Sequence, residues 1–88
     1  MSRTVMVTMT FDPRRRAEIV AHVPAEQARI RDLRAQGAVD ALYIAEARDR
    51  VWLVVRGETL DAVRDIVASL PLHAYATVDL APLAEPAQ

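Results

Sequence analysis

The hydrophobic residues of this chain switch between two spacings, and the order of these switches restricts the fold more than any other feature. Apolar residues recur at every second position from Val5 to Phe11, which is typical of a strand. After Asp12 they recur at three- and four-residue intervals, as in a helix. The spacings predict, in chain order, a strand at 4–11, a helix at 12–37, strands at 39–45 and 50–56, a helix at 60–70 and a strand at 73–81.

Local signals at the ends of the first helix support this order. Asp12 can cap free backbone amides, and Pro13 is tolerated in a first helical turn. Gly37 is a typical C-terminal stop. Pro24 removes one backbone donor from the middle of the segment and disfavours helix at Val23. We therefore expect a kink, or a break into two helices, near that position.

The second half of the chain predicts a hairpin, a helix and a last strand. The polar segment 46–49 separates two strand-like runs, and the second run is apolar throughout from Val51 to Val55. Pro71 is expected to end the second helix. Alternation in the last strand would place four polar side chains on one face, namely His73, Tyr75, Thr77 and Asp79.

The order β-α-β-β-α-β predicts a ferredoxin-like α+β sandwich, in which two helices cover one face of a four-stranded antiparallel sheet. Residues 1–88 are enough for one such domain and no more. The other sheet face must be polar or covered by a partner, and Trp52 in an apolar strand indicates that it is covered. Two sheets packed face to face would form a dimeric α+β barrel.

Composition also favours a homo-oligomer, either a dimer or a ring of dimers. Of the 88 residues, 52% are hydrophobic, which is more than the small interior of such a domain can bury. The surplus apolar side chains are expected to lie in a subunit interface or a ligand cavity. No cysteine is present, so no disulfide can supplement the core.

A net charge of −1 favours neither nucleic acid nor an acidic membrane surface. No apolar run approaches the roughly 20 residues that cross a bilayer. We expect a cytoplasmic protein that binds a small molecule.

The C-terminal segment carries a family resemblance. Leu70-Pro71-Leu72, Tyr75, Asp79 and Pro82-Leu83 resemble the end of the muconolactone isomerase family, which has Leu-Pro-Leu, an aromatic residue and a Pro, then Tyr, an alternating strand with an acidic residue, and Pro-Leu-Ala. His73 stands where the family has the aromatic residue. Further family-like positions at matching spacing are Glu26, Leu33, Gly37 and Leu42-Tyr43.

The resemblance implies a ferredoxin-like subunit whose C-terminal segment reaches a neighbouring subunit. It also implies a cofactor-free isomerisation of a lactone in aromatic catabolism, by removal of a proton beside a carbonyl and its return elsewhere on the ring. The chain departs from the family at several cations. Asp40-Ala41 and Ile44 surround Leu42-Tyr43 where the family has Arg or His, and Glu26 is followed by Gln27 rather than Lys.

Six residues are candidates for a site. Glu26 matches a family Glu and would be a general base if it faces a cavity, although a solvated helix residue is the simpler interpretation. His73 is a second acid–base candidate because an imidazole ring can both accept and donate a proton. The predicted substrate-binding residues, which could equally be packing or surface residues, are Tyr43, Trp52, Tyr75 and Asp79.

Other signatures are missing from the sequence. Only two glycines occur, so there is no Gly-rich phosphate loop, and no Gly-x-Ser-x-Gly motif is present. His22 and His73 are far apart without a cysteine beside them, so we predict no metal site. The family resemblance implies that no cofactor is needed either. The alternatives to an isomerase of a small lactone or cyclic carbonyl compound are a non-catalytic binding or assembly module and a cofactor-free oxygenase or cyclase.

Overall fold

A computed structural model describes residues 3–84 and contains one four-stranded sheet with two helices on one face. The strands lie in the order β2-β3-β1-β4, and all neighbouring strands are antiparallel. This is the predicted ferredoxin-like βαββαβ arrangement, which is confirmed. The elements are β1 (Arg3–Phe11), α1 (Arg16–Ala35), β2 (Val39–Ile44), β3 (Arg50–Gly57), α2 (Leu60–Ala68) and β4 (Ala76–Pro82).

The strand register puts the core between the sheet and the helices. Val7 of β1 pairs with Leu53 of β3 on one side and Leu80 of β4 on the other, and alternate residues point the same way. The helices add residues at helical spacing, such as Val63 and Val67 of α2. The fully buried or nearly buried apolar residues are Val5, Val7, Met9, Ile30, Leu33, Val39, Leu53, Val55, Val63, Val67, Leu70 and Leu72.

The opposite face of the sheet, called here the open face, is not covered by either helix. Trp52 of β3 lies beside Thr8 of β1 and Tyr43 of β2 on this face. Tyr43 is 62% exposed, an unusual amount for a large aromatic side chain. The remaining open-face residues include Thr4, Met6, Thr10, Val54, Thr77 and Asp79.

The helical segment begins at the predicted cap and ends before Gly37, but its first turn is a 3-10 turn and α1 is not broken. Asp12 accepts a hydrogen bond of 2.9 Å from Arg14 N and caps a short 3-10 turn that leads into α1. Pro24 lies inside the continuous helix, so of the two predicted outcomes the break into two helices is wrong and the kink stays a prediction. The carbonyl that loses its partner belongs to Val20, which is exposed and can reach water. At the C-terminus Gly37 has a φ of +80°, the left-handed conformation that a glycine adopts without strain.

The last strand begins later than predicted. Residues Pro71–Tyr75 form a 3-10 helix, so His73 and Tyr75 do not share a strand face with Thr77 and Asp79. The proline fixes its own φ near the helical value, and the amide of His73 closes the turn with a hydrogen bond of 3.0 Å to Leu70 O. Alternation in the sequence cannot reveal this turn, because helical turns tolerate the same residue types.

None of the helices in residues 3–84 is both long and apolar enough to cross a membrane. Helix α1 has 20 residues, but arginines and acidic residues occur along its whole length. The cytoplasmic location stays a prediction.

Candidate functional site

A cavity of about 360 Å³ lies between α1 and the helix-facing side of the sheet. One wall is a stripe of α1 residues at helical spacing, formed by Ile19, Val20, Val23 and Ile30. The facing wall comes from the sheet and consists of Phe11, Leu42, Ile44 and Val51. Leu72 of the 3-10 helix closes one end. The cavity is therefore apolar over most of its length, as sites for small organic ligands usually are.

Glu26 is the one buried polar or charged residue among residues 3–84, with 7% of its surface exposed, and it lines this cavity. Its Oε1 accepts a hydrogen bond of 3.0 Å from Leu72 N. No buried side-chain nitrogen or oxygen in the described part of the chain lacks a hydrogen-bond partner. The second carboxylate oxygen, which accepts no hydrogen bond from residues 3–84, is thus reached from the cavity.

The surroundings of Glu26 favour its neutral form. Burial raises the pKa of the carboxyl above its ordinary value of 4.5, because a charge is poorly solvated among apolar side chains. The Leu72 amide lowers the pKa and only partly offsets this effect. A raised pKa brings the carboxyl closer to the pH at which proteins work, which favours its use as a general acid–base group.

The fold explains why Glu26 is buried and still hydrogen-bonded. It precedes Ile30 and Leu33 by four and seven residues, so all three lie on the face of α1 that meets the core. Leu72 lies in the first turn of the 3-10 helix, where backbone amides have no partner within the helix. Its N–H is therefore free to bind a side chain of another element, and Glu26 supplies that acceptor.

Two arginines, missed by the sequence analysis as site residues, lie at the other end of the cavity. Arg16 begins α1, and Arg48 belongs to the hairpin loop between β2 and β3. Within residues 3–84 neither forms an ion pair, whereas Arg14 and Arg15 are paired with Asp12 and Glu18. The sequence signal was weak, because Arg16 belongs to a run of three arginines at a helix start and Arg48 to an ordinary polar turn.

Three of the predicted substrate-binding residues lie on the open face, away from Glu26. Tyr43 and Trp52 are cross-strand neighbours there, and Asp79 lies on the same face of β4. The sheet separates these residues from the cavity beside α1. Their predicted contact with a ligand stays a prediction, but within one subunit they do not share a cavity with Glu26.

The remaining candidates lie on the 3-10 helix. His73 is exposed and lines a shallow groove beside α2 together with Asp79. Tyr75 is half-buried against the start of α1, with its ring 5.2 Å from that of His22 and 4.5 Å from the guanidinium carbon of Arg15. The Nδ1 atom of His22 donates to Glu18 O at 2.8 Å. His73 and Tyr75 are thus separate from the cavity at Glu26, whose hydrogen bond to this helix comes from Leu72 N.

Within residues 3–84 no group of three or more His, Cys, Asp or Glu side chains could hold a metal ion. A comparison with curated proteins gave no match. A family model described as muconolactone delta-isomerase matches residues 1–88, the whole chain. This match confirms the predicted family resemblance. The chain belongs to the muconolactone delta-isomerase family.

Proposed function

We propose that this protein is a cofactor-independent isomerase that moves a proton within a small lactone or cyclic carbonyl compound, in the breakdown of aromatic compounds. The observation that carries the proposal is Glu26, a buried carboxyl with one oxygen fixed by Leu72 N and a raised pKa. Its position in an apolar cavity, and the family of the chain, support the same reaction class.

In the proposed reaction, the substrate has a C=C bond close to its carbonyl group, and the Glu26 carboxylate takes a proton from the saturated carbon that these two groups make acidic. The electrons of the broken C–H bond form an enolate, and Glu26 becomes a carboxylic acid. The acid then gives the proton to a different carbon, which shifts the C=C bond and restores the carboxylate. Gln27 also lines the cavity, and its amide can donate a hydrogen bond to the enolate oxygen.

A non-catalytic binding role is the second candidate, because this cavity lacks cations that the family resemblance led us to expect. Ile44 and Gln27, which replace an Arg and a Lys, both line the cavity. Their neutral side chains stabilise an enolate less than cations would. We do not propose the oxygenase or cyclase alternative, since Tyr43 and Trp52 lie across the sheet from this cavity.

We also propose that the open face packs against a second copy of the chain. Apolar and aromatic side chains on it, including Met6, Trp52 and Val54, are only partly buried within the subunit, and Tyr43 is largely exposed. Contiguous apolar surface of this kind usually marks an interface. A two-fold arrangement would cover the same residues on both copies.

The experiment measures proton transfer directly, by NMR in D₂O, on muconolactone and a panel of unsaturated lactones. The wild type should isomerise at least one compound and incorporate deuterium at the exchanged carbon. Glu26→Gln should lower the rate about 10²- to 10⁴-fold, the usual contribution of a general acid–base group. Glu58→Gln, an exposed site outside the cavity, should leave the rate unchanged.

Two results would contradict the proposal. Exchange at the wild-type rate in Glu26→Gln would exclude Glu26 as the base. Binding of panel compounds by the wild type without any isomerisation or exchange would favour the non-catalytic role.

A further inference from the structure

The 3-10 helix Pro71–Tyr75 contacts α1 at two places that are one turn apart. Leu72 N donates to Glu26 Oε1 at 3.0 Å, and three residues later the ring of Tyr75 lies 5.2 Å from that of His22. Three residues of a 3-10 helix rise about 6 Å, and the four residues of α1 from His22 to Glu26 also rise about 6 Å. The 3-10 helix therefore runs antiparallel to α1 with a matching spacing of contacts.

The start of α1 offers the ring of Tyr75 a pre-arranged surface. The guanidinium carbon of Arg15 lies 4.5 Å from the centroid of this ring, which is a cation–π distance. Arg15 is held in turn by a 2.6 Å ion pair with Glu18, and His22 donates to Glu18 O at 2.8 Å. Glu18 thus fixes both groups that contact the ring.

The two ends of the 3-10 helix are held by other parts of the fold. Leu70, just before it, is buried in the core, and Ala76, just after it, pairs with Phe11 of β1. Ends held in this way still allow the helix to rotate about the line that joins them. Leu72 and Tyr75 oppose such a rotation, because residues three apart lie on the same side of a 3-10 helix and both contact α1.

A rotation of the 3-10 helix would turn the Leu72 amide away from Glu26. The N–H group belongs to the backbone and moves with the helix, and a hydrogen bond weakens steeply as its angle departs from a straight line. Leu72 N supplies the one hydrogen bond that the Glu26 carboxyl accepts from residues 3–84. The orientation of this short helix therefore decides whether the carboxyl keeps its partner.

We propose that Tyr75 is a positioning residue, which holds the 3-10 helix against α1 so that Leu72 N stays bonded to Glu26. Tyr75 acts through the backbone and is not among the residues that line the cavity. The inference rests on the proposed function only for the role of Glu26 as the reacting group.

Other charged groups do not set the pKa of Glu26. Its shift has two causes, burial, which raises it, and the Leu72 amide, which lowers it. One turn along α1, Arg29 donates to Ser69 Oγ at 3.1 Å, and on the 3-10 helix His73 lines the groove beside α2. The charged side chains that line the cavity lie at its other end and are Asp12, Arg16, Arg48 and Asp49. A change in this pKa on substitution of Tyr75 therefore reports on the amide.

The test uses NMR of the protein without substrate. In Tyr75→Ala, the Leu72 amide should exchange with solvent deuterium about tenfold faster than in the wild type, the effect of losing a hydrogen bond. The pKa of Glu26, followed by the chemical shift of its carboxyl carbon, should rise because the amide that lowers it is released. Tyr75→Phe keeps the ring that contacts Arg15 and His22, so both values should match the wild type.

Kinetics give a second measurement on any compound that the wild type isomerises. In Tyr75→Ala, kcat should fall about tenfold and the midpoint of its pH profile should move upward with the pKa of Glu26. KM should change little, because Tyr75 does not line the cavity. A smaller folded fraction would lower kcat but would not move the midpoint.

Controls separate positioning from a general loss of stability. Leu80→Ala shortens a partly buried side chain of β4 outside the cavity, and it should leave the Leu72 amide and the pKa of Glu26 unchanged. The double variant Arg15→Ala, His22→Ala removes the partners of the ring from α1 and should reproduce the effects of Tyr75→Ala. It decides the question if Tyr75→Ala does not fold, and circular dichroism verifies the fold of each variant.

Wild-type exchange of the Leu72 amide in folded Tyr75→Ala, or in the double variant, would overturn the inference. It would also be overturned by a pKa of Glu26 that does not rise, or by equal changes in Leu80→Ala. These outcomes are distinct from failure of the proposed function, in which the NMR values change as expected but the wild type isomerises no lactone or cyclic carbonyl compound.

Discussion

Leu72 N donates a hydrogen bond of 3.0 Å to Glu26 Oε1, across 46 residues of sequence. This contact joins the middle of α1 to the 3-10 helix that follows α2, and it fixes one oxygen of the carboxyl while the other faces the cavity. Burial and the hydrogen bond act on the pKa of Glu26 in opposite directions, and burial prevails. Both stability and activity should therefore depend on pH through this one residue.

The folded protein binds the Glu26 proton more tightly than the unfolded chain does, because the pKa is raised on folding. The contribution of Glu26 to stability should thus be complete below about pH 4.5 and be lost as the pH rises through the folded-state pKa. Glu26→Gln should remove this loss. Urea unfolding at a series of pH values measures it, and parallel pH profiles of the two proteins would contradict the expectation.

Catalysis should show the opposite trend, since the base must be deprotonated. The kcat/KM of the wild type should rise with pH through the pKa of Glu26, with a midpoint above 4.5. The pH–rate profile of any isomerised lactone supplies the measurement. A midpoint at or below the ordinary value would mean that burial does not tune this carboxyl in solution.

A charge on the open face should separate the subunits of the proposed dimer. Trp52→Glu places a carboxylate beside Thr8 and Tyr43, where a partner sheet would have to bury it. The mass measured by light scattering should fall to the 9.8 kDa of one chain, with the secondary structure retained. Ala28→Glu, at an exposed position of α1, is the control and should not change the mass.

Gly37 should be required for its backbone conformation alone. With φ at +80° and no atom within 4 Å of an added Cβ, Gly37→Ala meets no steric clash with neighbouring residues. The expected loss is about 1–2 kcal/mol of unfolding free energy, the cost of a left-handed L-residue. Gln36→Ala, one position earlier in the ordinary helical region, should cost far less in the same denaturation experiment.

Ile44→Arg should return a cation to the cavity at the position where the family resemblance led us to expect one. Ile44 lines the cavity, whereas the adjacent Tyr43 lies on the open face. Binding of phenylacetate should tighten about tenfold in this variant, as expected for a new charge-assisted contact. Tyr43→Arg has the same added charge on the other side of the sheet and should leave phenylacetate binding unchanged.

The fold could be predicted from local patterns because periodicity, Asp12, Gly37 and Pro71 all indicated the same element order. Two local predictions failed where tertiary packing or turn chemistry prevailed. Core contacts on both sides of Pro24 hold α1 together, because Ile19 packs against the core before it and Ile30 and Leu33 are buried after it. Pro71 starts a 3-10 turn that sequence alternation does not reveal.

The site was predicted in part, for a similar reason. Glu26 could be selected because its position within a family pattern and a helical repeat is a property of the sequence. Arg16 and Arg48 could not, because their meeting depends on how the β2–β3 hairpin folds back toward the start of α1. Tyr43 and Trp52 were grouped with Glu26 because aromatic side chains can hold a flat ligand. Their residue type does not tell which face of the sheet they lie on.

The hairpin loop that carries Arg48 contributes no residue to the buried core. Substitutions, insertions and deletions in such a surface loop are tolerated far better than changes in the strands that flank it. Glu26, in contrast, lies on the stripe of α1 that holds the core together. A change in this loop can therefore reshape the rim of the cavity without disturbing the stripe of α1 on which Glu26 lies.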